Sequence, residues 1–83
     1  MTTAMSRDTA ETTVRTALRG FAPESYLRAV SEDDSLRATL ELDSIDYLTF
    51  IERLSAARGA RIEEDDYPRL ATVRSCVDFL TER

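Results

Sequence analysis

A single serine lies between two aspartates at the start of a helical pattern, in the segment 42–48 (LDSIDYL). The residues before this segment are polar and turn-prone, and the residues after it place apolar side chains at helical spacing. A hydroxyl at such a junction lies at the positive end of a helix, beside backbone N–H groups that lack an intrahelical acceptor. This environment suits a phosphate ester better than acid–base chemistry. Ser44 is therefore a candidate attachment point, and a plain helix N-cap is the alternative interpretation.

The residues beside Ser44 offer contacts to a visiting protein. Asp43 and Asp46 flank the hydroxyl and supply carboxylates that a modifying enzyme can bind through Mg²⁺ or an arginine. Ile45 is expected to be partly exposed and to provide an apolar contact. The spacing of the two aspartates also suits a catalytic pair, but acids at a helix start usually interact with the helix dipole. We therefore assign these three residues to recognition.

Composition excludes several classes of function. The chain has 83 residues, which make one small domain without room for a deep catalytic cleft beside its core. It has no histidine and one cysteine, Cys76, so disulfides, Cys/His metal clusters and histidine-based catalytic triads are excluded. The formal net charge of −5 disfavours nucleic acid and anionic membranes as partners, and it favours a protein with a basic surface.

The location of the protein is predicted from what the chain lacks. Its first residues contain no apolar stretch of the kind found in targeting signals, and no run approaches the length of a transmembrane helix. We therefore expect a cytoplasmic protein without membrane insertion. An acidic domain of this size is expected to be a monomer. Met5 is an alternative start to Met1.

The spacing of apolar residues predicts helices and no strand. We expect a flexible tail over residues 1–7 and one domain over residues 8–83. The first helix of this domain is expected to be capped by Asp8 or Thr9 and to end near Gly20.

A long connection over residues 22–43 is expected to hold a short helical turn and two apolar anchors, Leu36 and Leu40. The next helix is predicted over residues 44–58, because its apolar residues recur at helical spacing and Gly59 is a typical C-terminal stop.

Acidic residues at positions 63–66 predict the start of a short third helix, which Pro68 limits to one or two turns. A last helix is expected to start near Thr72, with an apolar stripe formed by Val73, Cys76, Val77 and Leu80. Tyrosines at three positions are expected in the core or at its edge, with their hydroxyls toward water: Tyr26, Tyr47 and Tyr67. The helices bury their stripes against one another in a small four-helix bundle, with three longer helices and a short third one.

Asp43-Ser44-Ile45 is similar to the Asp-Ser-Leu type of motif that acyl carrier proteins modify on the serine. The resemblance extends over residues 33–82, since further positions fall in the family register: Leu36, Leu40, the stripe from Leu48 to Leu54, Ile62 and Leu70-Ala71-Thr72-Val73. The three-residue motif alone is common, and the register, length and acidity make it specific.

The resemblance implies a carrier and not an enzyme. A phosphopantetheinyl transferase would attach 4′-phosphopantetheine to Ser44, and the arm would present an acyl thioester to loading and processing enzymes with basic docking surfaces. Asp43, Ile45 and Asp46 would assist recognition by the transferase, and Leu48 and Ile62 are candidate contacts of the arm or its cargo. No metal site is expected.

The helix after the serine departs from the family pattern. It offers the acids Asp46 and Glu52 together with two arginines, where carriers of fatty-acid synthesis display several acids, and Leu42 replaces a common small residue. We therefore expect partners of a dedicated lipid or secondary-metabolite pathway.

Other interpretations remain open at this point. An aminoacyl or peptidyl carrier shares the same chemistry, and an unmodified acidic helical adaptor that binds a basic protein is the alternative of another class. The acidic run at 63–66 is interpreted as a solvated helix start in preference to a cation site, because it lacks a calcium-loop pattern. Cys76 is interpreted as a small buried apolar residue.

Overall fold

The structure is a computed structural model, and it describes residues 5–82. Five α-helices and one 3-10 helix occur in this part of the chain: α1 (Arg7–Ala17), α2 (Glu24–Ala29), α3 (Leu36–Thr39), α4 (Ser44–Arg58), the 3-10 helix (Glu64–Leu70) and α5 (Val73–Thr81). No strand is present between residues 5 and 82, so the prediction of an all-α fold is confirmed. Within the same residues, no helix combines the length and the apolarity needed to cross a bilayer.

Helix α1 begins earlier than the sequence predicts. Ser6 is its N-cap and accepts a hydrogen bond from the Thr9 N–H at 3.2 Å, so the prediction that Asp8 or Thr9 caps this helix is wrong. The predicted tail lies largely outside the described residues, which start at Met5. Met5 itself packs against the core, and its N–H donates to the carbonyl of Leu80 at 3.4 Å. The start of α1 is therefore tied to the end of α5.

Two short helices, α2 and α3, occupy the connection between α1 and α4. The predicted helical turn is α2, which buries Leu27 and is followed by the buried Val30. The predicted anchors Leu36 and Leu40 are both buried, and they belong to α3 and its C-terminal end. Tyr26 is 66% exposed, so its placement in the core or at its edge is wrong.

The predicted bounds of α4 are confirmed, with Gly59 as its C-cap in the left-handed region at φ 76°. The short third helix is a 3-10 helix of two turns that contains Pro68. Helix α5 begins after Thr72, which forms a capping box with Ser75. The three longer helices and the short third one are therefore present as expected, with α2 and α3 in addition.

One core joins these elements. Helix α1 packs chiefly against α5 and also against α4. The Arg53 guanidinium of α4 donates to the carbonyls of Ala17 at 3.0 Å and Arg19 at 2.8 Å, and it lies over the Phe21 ring. It thereby binds acceptors that the end of α1 leaves without intrahelical donors. This packing joins α4 to the end of α1.

Candidate functional site

The chain turns sharply just before Ser44 because α3 ends in a Schellman motif. The Leu42 N–H donates to the carbonyl of Arg37 at 2.9 Å, which is the long bond of that motif. The motif needs a left-handed residue at the turn, and Glu41 takes this conformation with φ 52°. Leu42 then packs into the core at 5% exposure. The buried leucine and the turn together fix where α4 starts.

Asp43 caps helix α4, and Ser44 is its first residue. The Asp43 carboxylate accepts a hydrogen bond from the Asp46 N–H at 2.8 Å, in the manner of an N-cap side chain. The interpretation of Ser44 as only an N-cap is therefore wrong. The Ser44 side chain is exposed, and the N–H groups of Ser44 and Ile45 have no intrahelical acceptor at these two positions. An anion bonded to the Ser44 oxygen would lie at the positive end of a helix of 15 residues.

An exposed apolar surface adjoins the hydroxyl. Ile45 is 75% exposed and Leu48 is 45% exposed, and the two lie three residues apart on one face of α4. Glu52 is exposed on the same face, about 12 Å along the axis from Ser44 at a rise of about 1.5 Å per residue. Asp46 is only partly exposed. The structure thus brings together Ser44, two apolar side chains and one acid on a single surface.

Ile62 lies apart from this surface. Its side chain is 2% exposed and belongs to the core, while its N–H donates to the Ser55 Oγ at 3.3 Å. Of the two candidate arm contacts, Leu48 is therefore open to solvent beside Ser44, and Ile62 is a core residue.

Arg37 is a residue of the site that the sequence did not indicate. Its Nη2 lies 3.5 Å from the Ser44 Oγ, and its guanidinium lies over the Tyr47 ring at 5.2 Å from the centroid. The sequence predicts a long connection around Arg37, so no helical spacing relates it to Ser44. The signal that could have located it is Ser35, whose side chain caps α3 by accepting from the Ala38 N–H.

The Tyr47 hydroxyl joins α4 to the 3-10 helix. It lies 3.0 Å from the carbonyl oxygen of Tyr67 and 3.1 Å from that of Leu70, and it donates to this pair. Burial raises the pKa of Tyr47, the nearby Cys76 raises it further, and the Arg37 charge lowers it. Tyr47 and Tyr67 are partly buried, which confirms their predicted position at the edge of the core. The prediction that the Tyr47 hydroxyl faces water is wrong, because this hydroxyl binds backbone carbonyls.

Cys76 and the acidic run do not belong to the surface around Ser44. Cys76 is fully buried, and burial raises the pKa of its thiol to about 12. Its interpretation as a small buried apolar residue is confirmed. The acids at positions 64–66 occupy the first turn of the 3-10 helix. Within residues 5–82, no group of three or more acidic, cysteine or histidine side chains is arranged to hold a metal ion.

A comparison with protein families now defines the class of this protein. Residues 13–80 match the family described as the phosphopantetheine attachment site. The match spans the C-terminal part of α1, all of the site around Ser44 and nearly all of α5. The chain therefore belongs to this family, and it is a carrier protein whose covalent prosthetic group is 4′-phosphopantetheine. No curated protein in the comparison matches the chain.

The residues at the start of α4 fit this group. A phosphodiester needs an accessible hydroxyl and donors for its charged oxygens, and Ser44 provides the hydroxyl beside free helical N–H groups and the Arg37 guanidinium. When bound, the group would supply a terminal thiol that can hold cargo as a thioester. The start of α4 would supply the anchoring oxygen and the surface around it.

Proposed function

We propose that Ser44 is the residue that bears the 4′-phosphopantetheine arm. The observation that carries this proposal is the exposed hydroxyl at the first position of α4, held in place by the Asp43 cap. The family match includes Ser44 within its span. Asp43 and Asp46 are expected to contribute to recognition by the phosphopantetheinyl transferase, and Ile45 offers it the most exposed apolar side chain of the site.

The cargo that we propose is an acyl intermediate of a dedicated lipid or secondary-metabolite pathway. The exposed face of α4 supports partners that differ from those of fatty-acid-synthesis carriers, because it combines Ile45 and Leu48 with a single acid, Glu52. Enzymes that load and process the acyl group would contact this face through apolar and basic residues. An aminoacyl or peptidyl carrier is the second candidate, since the attachment chemistry is the same.

The protein itself is proposed to be a cytoplasmic monomer that performs no catalysis. Its function is to keep the cargo at high effective concentration near successive partner active sites. The acidic balance of the chain, −5, supports partners with basic surfaces.

Attachment is tested by incubating the purified apo protein with coenzyme A, Mg²⁺ and a broad-specificity phosphopantetheinyl transferase. Intact-mass measurement should show the wild type gaining the mass of one arm, while Ser44→Ala gains none. Ser25→Ala is the matched control, because Ser25 is an exposed helical serine on α2, and it should be modified like the wild type. A wild type that stays unmodified with several transferases would contradict the proposal and favour an unmodified acidic adaptor that binds a basic protein. A modified Ser44→Ala would place the arm on another residue.

The nature of the cargo is tested by the intact mass of the protein isolated from its native host. An acyl mass on the arm supports the first candidate, and an aminoacyl mass supports the second. Release of the added mass by hydroxylamine would show that the cargo is held as a thioester.

A further inference from the structure

The Arg37 guanidinium is held beside the Ser44 hydroxyl by the fold of two helices. The Schellman turn at the end of α3 leads directly into α4, and it brings Arg37 within 3.5 Å of the Ser44 Oγ across seven residues of sequence. This distance is at the long end for a hydrogen bond, so it establishes proximity more than a strong bond. The face of the Tyr47 ring, at 5.2 Å from the guanidinium carbon, supports the arginine from the side of α4.

Arg37 also differs from most arginines of the chain in its partners. Six arginines in the described part of the chain form ion pairs with carboxylates: Arg7, Arg15, Arg19, Arg61, Arg69 and Arg74. Between residues 5 and 82, no ion pair to Arg37 is present. The Asp43 carboxylate nearby in sequence is already bonded to the Asp46 N–H. The guanidinium fork of Arg37 is therefore available for another anion.

We propose that Arg37 binds the phosphate of the arm and fixes its base at the start of α4. This inference rests on the proposed attachment at Ser44. The phosphorus is bonded directly to the Ser44 Oγ, so its charged oxygens are only two bonds beyond the atom that Arg37 already approaches. A guanidinium binds such oxygens through two parallel N–H donors, and the first N–H groups of α4 add to this binding. Arg37 is thus a positioning residue that restrains the root of the arm and leaves the rest free.

The experiment compares the holo forms of the wild type, Arg37→Gln and Arg37→Lys by phosphorus NMR. Each protein is first modified with coenzyme A and a transferase, and its intact mass shows that one arm is present. The phosphorus resonance is then followed as sodium chloride is raised, because salt screens an exposed ion pair. Arg28→Gln is the matched control, since it removes the same charge from an exposed arginine on α2.

The wild type and Arg28→Gln should share one phosphorus shift at low salt and lose it as salt is raised. Arg37→Gln should show the high-salt shift throughout, and Arg37→Lys should lie between the two because it keeps the charge without the fork. If Arg37→Gln is modified too slowly for the measurement, the lysine variant decides alone. Identical, salt-insensitive phosphorus shifts in every protein that carries the arm would overturn the role of Arg37. This holds even if Arg37→Gln takes up the arm more slowly than the wild type. A wild type that takes no arm at Ser44 would overturn the attachment proposal and this inference together.

Discussion

The conformation of Glu41 gives the sharpest prediction about how the site is built. Glu41 has φ 52° at the turn that closes α3, three residues before Ser44. The left-handed conformation costs a residue with a Cβ about 1–2 kcal/mol, and glycine avoids this cost. Glycine also lowers the free energy of unfolding by about 0.4–1 kcal/mol, because it gives the unfolded chain more conformational freedom.

The difference between these two effects sets the expected result. Glu41→Ala keeps the strained backbone and removes the carboxylate, whereas Glu41→Gly removes both the strain and the carboxylate. Glu41→Gly should therefore be more stable than Glu41→Ala by about 1 kcal/mol, the difference between the strain and entropy terms. In a domain of this length that corresponds to a rise in Tm of about 4–8 °C.

The assay is urea and thermal unfolding of the apo proteins, followed by helical circular dichroism. Gly59→Ala is the matched control, because Gly59 has φ 76° and a Cβ added there meets no atom within 4 Å. Gly59→Ala should lower the free energy of unfolding by about 1 kcal/mol, which would measure the cost of the left-handed conformation in the same protein without a steric clash. If Glu41→Ala is as stable as Glu41→Gly while Gly59→Ala is destabilised, the turn before Ser44 does not have the strain that we infer.

Three further predictions concern the core, the cap and the link between α4 and the 3-10 helix. Burial raises the pKa of Cys76 to about 12 from an ordinary 9.0, so at pH 8 its thiolate should be about 1,000-fold scarcer in the folded protein than in the unfolded chain. Iodoacetamide should therefore label the folded apo protein far more slowly than the urea-unfolded chain. Equal rates would contradict the burial. The thiol of the unfolded chain ionises at a lower pH than the buried thiol, so the free energy of unfolding should be unaffected by Cys76 below pH 9 and should fall as pH rises toward 12. Cys76→Val should remove this fall from the pH profile of urea unfolding. Asp43→Ala should lower the free energy of unfolding by about 1 kcal/mol through loss of the cap, while Asp43→Asn should keep the stability. Asp43→Asn should slow the transferase if this enzyme recognises the charge. Equal losses of stability for the two variants in urea unfolding would contradict the cap. Tyr47→Phe should cost about 1 kcal/mol, since its hydroxyl binds the carbonyls at the end of the 3-10 helix; an unchanged midpoint in urea would show that this link contributes nothing.

The sequence was sufficient to predict α4 and the position of Ser44 within it. Gly59 stops the helix in the left-handed conformation that glycine adopts readily, and the apolar stripe defines the rest. The sequence indicates Asp43 as a flanking recognition residue, and the structure shows that it caps α4. A run of Asp-Ser contains two good N-cap residues, and only the fold decides between them.

The part of the site formed by α3 could not be predicted. A four-residue helix has no hydrophobic period to detect, and its C-terminal turn uses Glu41 where glycine would have given a signal. Without α3 there was no reason to relate Arg37 to Ser44. The cap of α1 differs for another reason: Ser6, Asp8 and Thr9 are all residue types that can cap a helix, and the fold selects Ser6. Hydrophobic spacing therefore located the longer helices, but it did not decide which of several capping residues begins α1.

The most direct test of the central claim is peptide mapping of the holo protein isolated from its native host. Cleavage after arginine yields the peptide 38–53, in which Ser44 is the only serine. Fragmentation of this peptide should locate the 4′-phosphopantetheine mass on Ser44, with any cargo on the thiol of the arm. An arm found on another peptide, or a fully occupied protein whose peptide 38–53 is unmodified, would contradict the account.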